Sequence, residues 1–307
     1  MPTETVIPPP PEAGAVRTAI GGALMGIANI IPGVSGGTMI LATGLYENFV
    51  EAVADITSLR WRLRSWRFVI TLGCAAVVAI GASVFPIRWG LDHIHHLMFG
   101  LFIGLTLGGV PLLWREMRPV RASGIAATVA GVALMAFIAF ALTRTPLPET
   151  WLTFLVAGFI ASAAMVLPGI SGSYLLLIFG LYSPLTTAIK EFIEALRSVD
   201  VGAAVSIGLR VIFPIGIGVL LGIGGLTNVL RALLKRYHQA TLGFLLGLLL
   251  GSVLGLYPFA PLQEKGEIIA PARELTPLNI ALVLAAVVLG FLATFAVSRM
   301  GNRPSAE

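Results

Sequence analysis

Pro32 to Thr38 reads PGVSGGT and separates two apolar segments, Thr18 to Ile31 and a stretch running through Tyr46 toward Ala54. The first segment has fourteen residues, so as a helix it rises about 21 Å, short of a hydrocarbon layer about 30 Å thick. It stops partway. Pro32 lacks a backbone donor and disfavours a helical residue before it, Gly33 permits angles other residues avoid, and Ser35 is placed to cap a new helix beginning near Gly36. The reading is a re-entrant hairpin over 18–54. The pattern returns at Pro168 to Tyr174 as PGISGSY, within a second hairpin over 151–189. The same offset carries Gly44, Leu45 and Tyr46 onto Gly180, Leu181 and Tyr182.

The rest of the chain is built to hold such turns inside a membrane. It has 307 residues, 57% hydrophobic and 11% charged, with mean hydropathy +0.93. A soluble domain carries about 25% charged residues. Long uncharged runs at Phe68–Val84, Leu97–Leu113, Ala122–Leu142, Val211–Leu230, Ala240–Ala260 and Leu278–Val297 each have the length of a spanning helix. The net charge of +5 is scattered in small clusters between these runs, which reads as topology signals and excludes a nucleic-acid face. The single cysteine, Cys74, leaves no disulfide framework or thiol metal site and reads as a small apolar core residue. Residues 1–16 contain acids, four consecutive prolines and no basic n-region, which reads as a disordered tail without a cleavable signal.

Basic loops orient the spans. Arg60 to Arg67 (RWRLRSWR), Arg115 to Arg121 and Arg231 to Arg236 fall on the cytoplasmic side, as do both termini. The segment with Arg88, Asp92 and three histidines, and the mixed-charge loop from Glu264 to Glu274, fall outside. The second hairpin then begins on the face opposite the first. GLFIGLTLGGV at Gly100 to Val110 also resembles GFLLGLLLGSV at Gly243 to Val253, so the duplication covers whole halves. The expected fold is an all-α polytopic membrane protein with an inverted-topology repeat, 17–146 and 147–298, each half a re-entrant hairpin plus three spans. A cytoplasmic tail, 299–307, follows. Ten full crossings would preserve the same parity.

Non-helical backbone at membrane depth costs several kcal/mol per unpaired group unless protein, water or a ligand satisfies it. A Gly-rich turn entering a helix N-terminus offers free N–H groups and a positive dipole end, an arrangement suited to an anion. The candidate phosphate-binding residues are Gly33, Ser35, Gly36, Gly37, Thr38, Gly169, Ser171, Gly172, Ser173 and Tyr174. Packing of small residues is the competing reading of either turn alone; two copies in inverted halves favour a site. Asn29, Glu47 and Arg210 are candidates for coupling or gating. At matching positions the halves differ: Thr38 against Tyr174, Glu47 against Ser183, Asn29 against Met165. His93 to His96 (HIHH) reads as solvated side chains at a membrane edge, with no metal assigned. No catalytic motif or acid–base pair is evident, which disfavours an enzyme.

The doubled PGVSGGT and PGISGS motif, each copy followed by an apolar stretch ending in GLY, resembles the PopT-type polyprenyl-phosphate transporters over about Val16 to Ser298. That family was long known only as a bacterial and archaeal membrane domain of unknown function. The resemblance implies a flippase in the bacterial or archaeal plasma membrane that returns undecaprenyl phosphate from the outer to the inner leaflet for cell-wall and surface-polymer synthesis. It implies no cofactor and no catalytic residue, and leaves a coupling ion (proton or sodium) and the oligomeric state open. An inorganic-anion transporter or channel stands beside it as an alternative, and a lipid-carrier phosphatase behind both.

Overall fold

The computed structural model describes residues 13–30, 35–140, 147–172, 175–176, 179–259, 262–264 and 267–300. In the first half, α1 (Ala15–Ile30) leads into the turn, and α2 (Gly36–Ala42) and α3 (Tyr46–Thr57) lead out of it. Then come α4 (Leu63–Leu107), α5 (Val110–Glu116) and α6 (Ala122–Phe140). In the second half, α7 (Trp151–Val166) enters the turn, followed by α8 (Tyr182–Arg197), α9 (Val201–Ile207) and a π turn (Gly208–Ile212). The chain continues through α10 (Phe213–Arg236), α11 (His238–Ser252) and α12 (Pro277–Met300). The fold is helical apart from one ribbon, in which Leu262–Glu264 pairs antiparallel with Glu267–Ala270.

Six segments among the described residues are long and apolar enough to cross a membrane, one for each run picked out by hydropathy: Leu63–Ser83, Trp89–Glu116, Ala122–Phe140, Val201–Arg236, His238–Gly255 and Pro277–Ala296. The first and most of the second lie on α4, whose backbone leaves the helix at Ile94 (φ −132°, ψ 37°), five residues into the second. Gly90 and Met98 consequently meet across the bend, where a methyl on Gly90 would sit 2.9 Å from Met98 Sδ.

Both hairpins close on themselves. Arg17, near the start of α1, donates from Nε and Nη2 to Thr43 O at 2.9 and 2.7 Å, just past α2. In the second half Leu147 N–H donates to Phe179 O at 3.0 Å, and Phe179 is the position that the repeat assigns to Thr43. The helix after the turn does not run on through Tyr46 as its apolar sequence suggests. Gly44 (φ +67°) and Gly180 (φ +70°) adopt the left-handed backbone that glycine alone enters cheaply; Gly44 stands just past α2, which ends one turn before Tyr46, and Gly180 holds the matching position before Tyr182.

Interhelical packing recurs at matching positions. Gly22 and Gly26 of α1 abut the carbonyls of Leu72 and Ala76 on α4, while Gly158 of α7 abuts Ile215 O on α10 and Ser162 donates to Val219 O at 3.2 Å. Further along, Gly100, Gly104 and Gly108 press on Val283, Val287 and Thr294 of α12. Their counterparts Gly243, Gly247 and Gly251 press on Gly124, Thr128 and Met135 of α6. The second span of each half therefore packs against the third span of the other. Small residues let these axes approach closely, which matters because lipid supplies no hydrophobic drive between helices. At the centre lies α2, all seven residues buried, within a core that includes Ile40, Leu41, Leu245, Leu248 and Leu249.

The loops sort by end. Arg62 and Arg231 meet on the same two carboxylates, Glu51 and Asp55, and Gln239 bonds to Met117 O, Pro119 O and Arg121 N. The basic loops after α3, α5 and α10 thus share one end. Far along α4 from that end, Arg273 donates to His93 O at 3.1 Å. Two side-chain expectations are corrected. Cys74 is exposed on the outer surface of α4 and is no core residue. His95 and His96, just past the bend at Ile94, are buried, although His93 stays exposed. Among the described residues no three His, Cys, Asp or Glu side chains are grouped to hold a metal ion.

Candidate substrate site at the re-entrant turns

Ser35 is the N-cap of α2, as its place after Pro32 and Gly33 predicts: its backbone is extended (φ −98°, ψ 133°) and its Oγ accepts from Gly37 N–H at 3.2 Å. The same hydroxyl donates to Leu167 O, in the other turn, at 3.1 Å. A second bond runs the opposite way, from Gly169 N–H to Thr38 Oγ1 at 2.9 Å. A third comes from beyond α2, where Tyr46 Oη donates to Val166 O at 2.9 Å. The two copies of the motif are thereby in direct contact. Ser35 and Thr38 are 3% and 1% exposed, so their bonds form away from bulk water.

Gly37 explains why the junction closes so tightly. A methyl there would lie 2.8, 3.2 and 3.3 Å from the carbonyl oxygens of Met165, Val166 and Leu167. The N-terminal turn of α2, where partial positive charge concentrates, therefore faces the C-terminal carbonyls of α7, where partial negative charge concentrates. The pairing is electrostatically complementary. Carbonyl oxygens hold the ground that an anion's oxygens would take.

The junction gathers Ser35, Gly36, Gly37, Thr38 and Gly169. Ser171 is buried nearby in sequence, while Gly172 packs back into its own hairpin against Ala161 O and Met165. Gly33, Ser173 and Tyr174 lie outside the described residues, so the Thr38 to Tyr174 contrast does too. Asn29 is exposed but reaches α2, with Oδ1 2.7 Å from where a methyl on Gly36 would be. Its repeat partner Met165 stands in the same relation to Gly172, at 3.2 Å from Cγ. Glu47 is exposed in the first turn of α3. Arg210 is not at the junction. It lies in the π turn and lines a separate cleft with Glu149, Thr187 and Glu191.

A polar cluster that sequence reasoning passed over locks α3 to α10. Asp55, 1% exposed, receives Ser65 Oγ at 3.0 Å and lies 3.5 Å from Arg62 and 3.4 Å from Arg231. Glu51 adds contacts to Arg231 at 3.6 Å and Arg62 at 3.9 Å. The available signal was the Glu51 and Asp55 pair, one helical turn apart beside an arginine-rich loop. Tyr46 was also missed, having served only as a marker of the repeat.

The family model described as VCA0040-like, undecaprenyl phosphate translocase-like, matches residues 25–270. The chain belongs to this family. Two relatives named Polyprenyl-phosphate transporter match this translocase-like chain over most of its length. The one from Vibrio cholerae serotype O1 is 31% identical over 258 residues, covering 80% of this chain and 78% of the relative. The one from Staphylococcus aureus is 29% identical over 253 residues, covering 78% and 85%. No solved structure matches significantly.

Proposed function

We propose that this protein is a polyprenyl-phosphate flippase that returns undecaprenyl phosphate from the outer to the inner leaflet of the plasma membrane by alternating access, its basic end in the cytoplasm. The observation that carries the reading is the junction of the two turns, Ser35 to Leu167 and Gly169 to Thr38, in a translocase-like chain. A phosphomonoester bears about −1.5 to −2 charges at pH 7 and crosses hydrocarbon only at great cost. At the junction, Ser35 Oγ–H and Gly169 N–H already hold acceptors away from water. When the turns separate, phosphate oxygens take the places of Leu167 O and Thr38 Oγ1, so the donors are never left bare. The prenyl chain remains in lipid throughout.

Matching contacts in the two halves support an inverted repeat with one hairpin opening at each end, which is the architecture that alternating access requires. No residue acts as nucleophile in this reading, and no phosphate ester is cleaved.

The test uses purified full-length protein in liposomes carrying a labelled polyprenyl phosphate in one leaflet. Label is expected to equilibrate between leaflets without release of inorganic phosphate. Transport of inorganic phosphate or sulfate at the same rate without a lipid tail would replace the flippase with an anion transporter, and liberated phosphate would replace it with an enzyme.

A further inference from the structure

Two clefts, one beside α3 and one beside α8, are built from matching positions of the two halves. The first, of about 550 Å³, is lined by Asn48, Glu51 and Asp55 on one face of α3 and by Arg62, Arg64 and Arg67 before and within α4. The second, of about 410 Å³, is lined by Pro184, Thr187 and Glu191 on α8 and by Arg210 in the π turn. The hairpin offset carries Asn48, Glu51 and Asp55 onto Pro184, Thr187 and Glu191, and the offset of the spans carries Arg67 onto Arg210. The shared feature is an arginine at one position. Both guanidinium groups are exposed, and among the described residues neither makes a hydrogen bond or ion pair.

The charge balance differs between the ends. In the first cleft, Asp55 and Glu51 are engaged by Arg62 and, from behind, by Arg231. Three lining arginines face two lining carboxylates that are already neutralised, which leaves Arg67 as uncompensated positive charge. In the second, the single Arg210 faces both Glu149 and Glu191. The first cleft attracts an anion and the second does so far less. The first also connects to the turns. From Tyr46, clamped to Val166 O, to Asp55 is nine residues of α3, or roughly 13 Å of helix.

We propose that the Arg67 cleft is a second phosphate site at the basic end, where the headgroup of a lipid phosphomonoester rests after leaving the turns and before entering the adjoining leaflet. Arg67 supplies the charge-assisted contact, with Asn48 and Thr71 beside it in the same cleft. Arg210 marks the corresponding point of entry at the other end, where opposing carboxylates keep the headgroup from lingering. This rests on the flippase reading.

The experiment compares wild type with Arg67→Gln, Arg210→Gln, Ser35→Ala and the control Lys235→Gln in the last turn of α10, each as full-length protein in nanodiscs and in liposomes. The probes are a short-chain polyprenyl phosphate and inorganic phosphate. Arg67→Gln is expected to weaken binding of the lipid probe about tenfold and slow its transfer, Arg210→Gln to weaken binding less, and Lys235→Gln to do neither. Partial rescue by Arg67→Lys, with unchanged thermal stability, separates a headgroup contact from a structural one. Unchanged binding and transfer in Arg67→Gln, while Ser35→Ala is impaired, would overturn the cleft and leave the flippase standing. Displacement of the lipid probe by equimolar inorganic phosphate would overturn it as a lipid-headgroup site. Absence of lipid transfer by wild type would remove the flippase reading itself.

Discussion

Thr38→Val isolates a single contact of the turn junction. Valine matches threonine in shape but cannot accept a hydrogen bond, so Gly169 N–H loses its partner at 2.9 Å while the core around α2 keeps its volume. Thr38 is 1% exposed, and a methyl on Gly169 would already touch Leu248 O at 2.6 Å, so no space is open for water to replace the lost acceptor. A buried donor left bare costs about 1–3 kcal/mol, which corresponds to roughly a 5- to 150-fold shift in the opening equilibrium of the junction. Hydrogen exchange followed by mass spectrometry reads this directly. The peptide carrying Gly169 should exchange roughly 5- to 150-fold faster in Thr38→Val, while peptides from α11 and α6 should not change. Thr38→Ser retains an oxygen and should restore most of the protection. Equal exchange at Gly169 in wild type and Thr38→Val would refute the claim that the two turns hold each other closed.

Two further outcomes follow from the packing and from the ion cluster. Gly104→Ala and Gly247→Ala should each destabilise the detergent-solubilised protein by about 1–3 kcal/mol, because the new methyl strikes Val287 O or Thr128 O, whereas Gly73→Ala, with nothing within 4 Å, should stabilise the helix slightly; thermal melts compare the three. Asp55→Asn and Arg231→Gln should each cost about 2 kcal/mol, less than a fully buried pair because Arg62 is exposed, and the double variant should cost clearly less than their sum; a double-mutant cycle from the same melts checks it.

Much of this architecture was legible because the membrane allows few solutions. Uncharged runs of seventeen or more residues located the six candidate spans, and the Pro-Gly break with Ser35 located the first turn and its cap. The repeat in GLFIGLTLGGV and GFLLGLLLGSV identified the glycines that let second and third spans cross between halves. What stayed hidden is what depends on distant partners. Gly44 and Gly180 looked like marks of duplication, and only their positive φ reveals them as left-handed turn residues. Asp55 was one acid in an amphipathic helix until α10 brought Arg231 across to it. Arg210 looked like the start of a span because the charge interrupts an apolar run. The π turn carries the helix past it and turns its guanidinium toward α8 instead.

The junction also bears on why the halves are unequal. Ser35 and Thr38 reach across from the first turn by side chain, whereas Leu167 and Gly169 answer from the second by main chain. Side-chain partners can be exchanged for a ligand by a rotamer change, but main-chain partners must be carried away with their helix. In the proposed flippase, opening toward the basic end asks α2 to leave α7, while α1 stays packed on α4 through Gly22 and Gly26 and α7 on α10 through Gly158 and Ser162, the same α10 that Arg231 ties to α3.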